Sequence, residues 1–245
     1  MRAVRIPLSS EEMDGTLVRF SNKNSRYLRN VLRKKPGNHV KVLLNGDEYL
    51  VQLAEPARGE VTGNVVALLA RVPDHCPELV LAFSSVRPGP TEEILRHGTE
   101  LGVSRFVPLI AFRSNRRPGE LKPRWKFIVE SATAQSGRTS PPSVEAPISL
   151  DQFLESCSGL GIRIVLSTSS GAQPIMSILK ADSFPAVTIL VGPEGGLEES
   201  EELRAVKGGF VAASLGSRVL RTETAALAAV GVVVAWAEWA SRSIG

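Results

Sequence analysis

Cysteine is scarce in this chain of 245 residues, which contains only Cys76 and Cys157. The two residues are far apart, and neither has a partner at the spacing of metal ligands. Neither a disulfide framework nor a zinc site is therefore indicated. Such cysteine usage fits a reducing, cytoplasmic setting.

Long hydrophobic runs are also missing from the sequence. The amino terminus, residues 1–7, has no apolar run that could act as a signal segment. The longest apolar stretch, residues 225–237, is expected to be too short to span a bilayer. Because 43% of the residues are hydrophobic, the chain can still bury a core, and a soluble globular protein is predicted.

Two familiar phosphate-binding motifs are absent as well. The chain has no Gly-Lys-Ser/Thr sequence, and Gly192, Gly195 and Gly196 do not follow the Gly-x-Gly-x-x-Gly spacing. The segment with these glycines is therefore interpreted as a nucleoside pocket without a phosphate cradle. The 29 Lys and Arg against 25 Asp and Glu give a net charge of +4, which is a weak indication of a polyanionic partner.

The hydrophobic pattern predicts two domains. Residues 1–73 are expected to form a small β-barrel or sheet module, with a hairpin of strands 41–44 and 48–53 around Asn45-Gly46, a strand over 63–72 and a helix over 25–35. A linker at 73–77 leads into residues 74–245, where alternating strands and helices predict an α/β domain with a parallel sheet. The predicted strands there are 78–84, 105–109, 163–167 and 188–191, and the predicted helices are 91–101, 124–133, 199–207 and 223–240.

The first turn of interest is Gly-Pro-Glu-Gly-Gly at residues 192–196. It follows the predicted strand 188–191 directly and leads into an acidic helix start. Ligands of open α/β sheets bind at such strand ends, and glycine lets the backbone approach a ligand closely. An ordinary tight connection between strand and helix would explain the same glycines.

The second turn is Leu-Gly-Ser-Arg-Val-Leu-Arg-Thr-Glu-Thr-Ala at residues 215–225. It precedes a long helix rich in Ala and Val, which Thr222 or Thr224 can cap. Unpaired amides at that helix start favour a carboxylate, and Arg221 and Glu223 lie within one turn of them. A surface ion pair beside a cap is the alternative, and the helix itself is expected to be core or subunit interface.

Together, in this order near the carboxyl end, the two turns resemble the SPOUT class of methyltransferases. Within it, the sequence is similar to the family that methylates N3 of a uridine in 16S ribosomal RNA. The resemblance includes Thr99-Glu-Leu-Gly-Val103, Val107-Pro-Leu109 and Gln135-Ser-Gly-Arg138. Tyr27-Leu-Arg-Asn-Val-Leu-Arg33, followed by Pro36-Gly37, resembles the amino-terminal PUA-like RNA-binding module of that family. Residues 87–93 and the pair at 96–97 depart from the family pattern.

The resemblance implies an α/β domain with a trefoil knot over residues 74–245, a PUA-like β-barrel over 1–73, and S-adenosyl-L-methionine as cofactor. The residues expected to bind it are Leu190, Gly192, Pro193, Glu194, Gly195, Gly196, Leu215, Gly216, Val219, Leu220, Thr222 and Ala225. Arg221 is expected to stabilise the uridine anion formed when N3 loses its proton. Glu223 is expected to act as general base or to orient the arginine.

The expected partners are 16S ribosomal RNA or the small ribosomal subunit, and a second copy of the chain in a homodimer. Phosphates are expected to meet basic side chains, for which a solvated face is the alternative: Arg26, Arg29, Arg33, Lys34, Lys35, Arg113, Arg116, Arg117 and Arg138. Two other functions remain open. One is methylation of a ribose or of transfer RNA from the same pocket, and the other is RNA binding without catalysis.

Overall fold

The computed structural model of the chain describes residues 5–44, 47–55, 60–71, 78–84, 88–114, 121–136, 138, 140–157, 161–179 and 186–244. The predicted turn at 45–46 and the predicted linker at 73–77 lie outside these residues. The chain divides into two compact units, Met1–Asp74 with Thr133–Ser140, and His75–Ala132 with Pro141–Gly245. The division differs from the expected single boundary after residue 73, because the segment Thr133–Ser140 falls in the first unit.

The first unit contains a six-stranded sheet, in the order β1-β4-β5-β6-β3-β2. Its strands are β1 (Arg5–Pro7), β2 (Met13–Asp14), β3 (Leu17–Arg19), β4 (His39–Leu44), β5 (Asp47–Leu53) and β6 (Thr62–Arg71). The predicted hairpin is present, because β4 and β5 pair antiparallel with Val42 opposite Tyr49. Where one helix was predicted over 25–35, a short helix α1 (Asn22–Arg26) runs into a π-helical turn (Tyr27–Val31).

The core of the first unit follows from the two-residue alternation of its strands. Val40 and Val42 of β4 and Val51 of β5 are buried, and they pack with Phe20 and Leu28 from the segments before β4. One charged residue shares this interior. Glu48 of β5 is only 3% exposed, so its carboxylate needs partners.

Two cations provide those partners. Lys41 Nζ lies 2.9 Å from Glu48 Oε1, and Arg5 Nε lies 3.3 Å from the same oxygen. Burial raises the pKa of Glu48, but the hydrogen bonds and charges of Lys41 and Arg5 outweigh it, so the pKa lies below its ordinary value. Glu48 therefore remains ionised and joins β1, β4 and β5.

The second unit contains an eight-stranded sheet in which every pairing is parallel. The strand order is β10-β8-β7-β13-β11-β14-β12, with β9 paired to β8. The strands are β7 (Leu79–Ser84), β8 (Arg105–Ile110), β9 (Ser143–Val144), β10 (Ile148–Ser149), β11 (Ile162–Leu166), β12 (Gln173–Pro174), β13 (Val187–Val191) and β14 (Val211–Ser214). The helices are α2 (Pro88–Leu101), α3 (Pro123–Ser136, of which 133–136 fall in the first unit), α4 (Leu150–Ser156), α5 (Ile175–Ile178), α6 (Glu199–Lys207) and α7 (Thr222–Ile244).

Helices cover both faces of this sheet, which is why β7 is buried along its whole length. On one face, here called the α7 face, Leu81 and Phe83 pack with residues of α2, α3 and α7. On the other, the α6 face, Val80 and Ala82 pack with residues of α4 and α6. The predicted α/β domain with a parallel sheet is thus confirmed.

The carboxyl-terminal helix α7 is longer than the sequence predicted. By length and hydropathy alone its segment Thr222–Ala240 would suffice to cross a bilayer, so the expectation that this stretch is too short was wrong. Its inner face is, however, part of the core, since Ala226, Ala229, Val230 and Val233 are fully buried. The apolar residues of α7 are explained by this packing.

Polar residues on α2 occupy positions where the sequence departs from the family pattern. Glu92 accepts a hydrogen bond of 2.8 Å from Arg124 of α3, and this bond is the main cause that lowers the pKa of Glu92. His97 Nδ1 lies 3.1 Å from the carboxylate of Glu100. Glu92 thus pairs with a residue of α3, and His97 pairs with a residue of its own helix.

Candidate active site

The two turns singled out in the sequence start at the same edge of one sheet. The first follows β13 and the second follows β14, and both strands pair in parallel with β11, which lies between them. Because the carboxyl ends of parallel strands share an edge, the two turns flank the end of β11.

A cavity of about 280 Å³ lies at this edge. Its lining comprises Leu166, Ser167, Thr168, Val191, Gly192, Pro193, Glu194, Gly195, Gly196, Leu197, Glu202, Ala213, Ser214, Leu215, Gly216, Arg218, Val219, Leu220, Thr222 and Ala225. Every residue predicted to bind the cofactor is among them except Leu190. The size is just below the roughly 300–1,000 Å³ usual for small-molecule sites.

Leu190 is absent from the lining because of strand alternation. It is fully buried on the α6 face, where it packs in the same cluster as Ala205. Its neighbour Val191 ends the strand and lines the cavity instead.

Gly192 occupies a position where a larger residue would not fit. A Cβ atom there would lie 2.9 Å from the backbone nitrogen of Leu197 and 3.0 Å from its Cγ. Gly196, at the other end of the turn, has φ of +72°, a left-handed conformation that favours glycine. The turn therefore folds tightly back on itself beside the cavity.

A hydrogen bond joins the two turns directly. Thr222 Oγ1 donates to the carbonyl oxygen of Gly192 over 3.1 Å, and Thr222 is only 3% exposed. Thr222 is the first residue of α7, so its hydroxyl links the start of this helix to the end of β13.

Arg113, predicted to contact phosphates, contacts the first turn in this structure. Its Nη1 donates to the carbonyl oxygen of Gly195 over 3.0 Å, and its Nη2 lies 3.9 Å from a carboxylate oxygen of Glu198. Buried Glu201 fixes the same region, since its carboxylate accepts bonds of 2.9 Å from the backbone nitrogens of Phe112 and Glu198. The segment after β8 is thus attached to both the turn and the start of α6.

The two predicted catalytic residues lie beside the cavity and are not part of its lining. Arg221 is exposed, and Glu223 is half-buried in the first turn of α7. The Oε2 atom of Glu223 is buried, and no described residue donates a hydrogen bond to it. Arg218, which was not named among the predicted site residues, lines the cavity.

The predicted RNA-binding residues are exposed in one region and buried in another. Arg26, Arg29, Arg33, Lys34 and Lys35 are all exposed, within or next to the π-helical turn of the first unit. Arg138 is buried, at 9% exposure, so it is not displayed for phosphate contact. Arg116 and Arg117 lie outside the described residues.

Sequence reasoning missed the part of the cavity that lies outside both motifs. Ser167 and Thr168 follow β11, and Glu202 lies in α6. The predicted strand 163–167 marked the chain segment that carries Ser167, but the sequence did not show that this strand lies between the two motif-bearing strands. The described residues contain no cluster of three or more His, Cys, Asp or Glu side chains that could hold a metal ion.

Comparison with known proteins gives a consistent result. A family model described as an RNA methyltransferase domain matches residues 74–234, and an RNA methyltransferase PUA domain matches residues 20–66. The chain is 32% identical over 240 residues to ribosomal RNA small subunit methyltransferase E of Synechocystis, covering 96% of this chain and 78% of that protein. It is 28% identical to the protein of that name from Rickettsia conorii, covering 95% and 96%.

A solved structure extends the similarity to three dimensions. The ribosomal RNA small subunit methyltransferase E of Neisseria gonorrhoeae, crystallised bound to S-adenosyl methionine, superposes with a TM-score of 0.81 at 28% identity. The match covers 94% of this chain and 96% of that one. With an RNA methyltransferase model across most of its length and relatives of one name across nearly all of it, the chain belongs to the RNA methyltransferase family of ribosomal RNA small subunit methyltransferase E.

Proposed function

We propose that this protein transfers a methyl group from S-adenosyl-L-methionine to N3 of a specific uridine in 16S ribosomal RNA of the small ribosomal subunit. The observation that carries the proposal is the meeting of the two turns, 192–196 and 215–225, on one cavity. Family membership supports both the RNA substrate and the cofactor, since relatives are named for the small-subunit RNA and one was solved with the cofactor bound.

The residues around the cavity fit this cofactor. Leu166, Val191 and Leu220 provide apolar surface for an adenine ring, and the tight turn at Gly192 exposes backbone groups that can bond to its edge. The start of α7 offers unpaired amides to the methionine carboxylate. When bound, the cofactor supplies an electrophilic methyl group on its sulfonium sulfur.

The remaining requirement is a nucleophilic ring nitrogen, because uridine N3 carries a proton at neutral pH. Arg221 is our first choice for stabilising the negative charge on the base oxygens, and Glu223 is the candidate to accept the proton or to orient the arginine. A new bond then forms between N3 and the methyl carbon as the S–CH₃ bond breaks, and the electron pair of the broken bond remains on sulfur. Since Arg218 lines the cavity, it is the matched comparison for Arg221.

The reaction also needs an RNA in which the base is accessible. Methylation at N3 requires a free Watson–Crick edge, so the target uridine is unpaired or flipped from its stack. The exposed cations at positions 26, 29 and 33–35 are the phosphate contacts we propose in the first unit. We further propose a cytoplasmic homodimer and a trefoil knot in the second unit, in which the two turns pass one another.

Methyl mapping tests this function. Small-subunit RNA from cells lacking the protein, incubated with the purified enzyme and cofactor, should acquire a single site that stops reverse transcription, because a methyl group on N3 blocks base pairing. Arg221→Ala should lower turnover at saturating cofactor by roughly 100-fold or more. Arg218→Ala, measured in the same assay, shows whether that loss is specific to position 221. A modification that does not stop the transcriptase would indicate a ribose methyl, and absence of cofactor binding would indicate a non-catalytic RNA-binding protein.

A further inference from the structure

A polar corner of the cavity lies outside both glycine turns. It is formed by Ser167 and Ser169 after β11 and by Glu202 of α6, and Ser167 and Glu202 line the cavity. The Ser167 hydroxyl donates to Ser169 Oγ over 2.9 Å, and Ser169 Oγ donates to Glu202 Oε1 over 3.4 Å. The backbone nitrogen of Ser169 donates to Ser167 Oγ over 3.0 Å, which fixes the loop. The hydroxyl chain thus ends on a carboxylate at the cavity wall.

This carboxylate is available to a ligand. Among the described residues, no cation pairs with Glu202, and no donor other than Ser169 bonds to its side chain. The helix around it is fixed, because the neighbouring Glu201 is buried and bonded to two backbone nitrogens. A carboxylate held on a cavity wall with a free oxygen is an acceptor for hydroxyl or ammonium groups of a bound molecule.

The position of the corner decides between the two ends of the cofactor. Glu202 belongs to α6, which packs on the α6 face of the sheet, whereas Thr222 begins α7 on the opposite face. The cavity reaches both residues around the ends of β13, β11 and β14. In the proposed function the methionine carboxylate lies at the start of α7. The amino group is bonded to the same carbon as that carboxylate, so it stays on that side.

We propose that Glu202, with the Ser167 hydroxyl beside it, recognises the ribose diol of the cofactor. A carboxylate has two acceptor oxygens for ribose hydroxyls, and an acidic side chain bonds to the ribose 2′-hydroxyl at the dinucleotide sites of other α/β folds. The inference rests on the proposed cofactor, and it assigns Glu202 as a cofactor-binding residue that neither motif contains.

Calorimetry without RNA tests the assignment through a series of adenosine ligands. The probes are S-adenosylhomocysteine, 5′-methylthioadenosine, which lacks the amino-acid end, and the 2′,3′-dideoxy form of methylthioadenosine. Glu202→Ala should lower the affinity for the first two ligands by the same factor, about tenfold, because a hydrogen bond to a charged group is lost. The dideoxy ligand should bind both proteins equally. Glu202→Gln should give an intermediate loss, since an amide oxygen still accepts one hydrogen bond.

The controls separate this assignment from the proposed function. Glu199→Ala removes an exposed carboxylate from the same helix outside the cavity and should leave all affinities unchanged. Ser167→Ala should lower the affinity for the first two ligands about threefold, and it remains informative if Glu202→Ala fails to fold. If Glu202→Ala weakens S-adenosylhomocysteine but leaves methylthioadenosine unchanged, the carboxylate holds the amino group and the assignment is wrong. Unchanged affinity for both ligands would also overturn it. If the unmodified protein binds none of them, the proposed function fails together with the inference.

Discussion

The hydroxyl of Thr222 is the direct link between the two turns, and Thr222→Val removes it with little change of shape. Valine fills the same volume, but the carbonyl oxygen of Gly192 loses the donor that lies 3.1 Å away. Because Thr222 is 3% exposed, water replaces that donor poorly. Leaving such a group unbonded costs on the order of 1–3 kcal/mol, and we take about 1.5 kcal/mol here because the carbonyl lies next to an open cavity.

That free energy predicts two measurable changes. In a chain of this length about 1.5 kcal/mol lowers the melting temperature by roughly 3–6 °C. If cofactor binding has to order the released turn, the dissociation constant for S-adenosylmethionine rises by up to about tenfold. Calorimetry and a thermal melt measure both effects on the same samples.

The matched variants distinguish the bond from the position. Thr222→Ser keeps the hydroxyl and should retain most of the affinity, whereas Thr224→Val makes the same chemical change at an exposed site two residues later and should have no effect. If Thr222→Val binds the cofactor as tightly as the unmodified protein, the link between the turns does not form the site and the reasoning is refuted.

Three further changes are expected to have distinct effects. Gly192→Ala places a Cβ 2.9 Å from the Leu197 nitrogen, so the turn must shift, and the cofactor affinity measured by calorimetry should fall by roughly tenfold or more. An unchanged affinity would show that the turn can shift without affecting the cofactor site. Arg113→Ala removes the hydrogen bond to the Gly195 carbonyl and should lower the affinity for the cofactor, measured without RNA, about threefold to tenfold. A loss confined to RNA binding would support the phosphate role instead. Glu48→Gln should destabilise the protein by about 1–2 kcal/mol at pH 7. Since the pKa of Glu48 is lowered in the folded state, the loss of stability in Glu48→Gln should be fully present above the ordinary pKa of 4.5. It should disappear as the pH falls through the folded pKa. Denaturant titrations at several pH values measure this loss, and a loss that persists in acid would contradict the ion-pair explanation.

The sequence predicted most of the second unit because strands buried on both faces and amphipathic helices have distinct patterns. The predicted helix 199–207 has the observed bounds of α6, and the strand ending at Val191 was placed within one residue. Strand β14 was missed, since Val-Ala-Ala-Ser is four residues long and has little of the bulk that marks a strand. Yet β14 determines where the second turn begins, so its position came only with the structure.

Local patterns also could not show which side chains share the cavity. The two glycine turns were found as separate segments, and only the order of β13, β11 and β14 brings them together with Ser167 and Glu202. The same applies to Arg113, whose nearest neighbours in the chain suggested a basic RNA contact. Its bond to Gly195 spans 82 positions of sequence and depends on the packing of the segment after β8.

The middle strand of this site provides a place to alter the enzyme without altering its motifs. Leu166 ends β11, and it forms one wall of the cavity together with Ser167 and Thr168, while the turns on either side remain attached by Thr222 and Arg113. Substitutions in that tripeptide change the shape of the wall and leave both loops intact. It is therefore the position from which to engineer acceptance of cofactor analogues altered at the ribose.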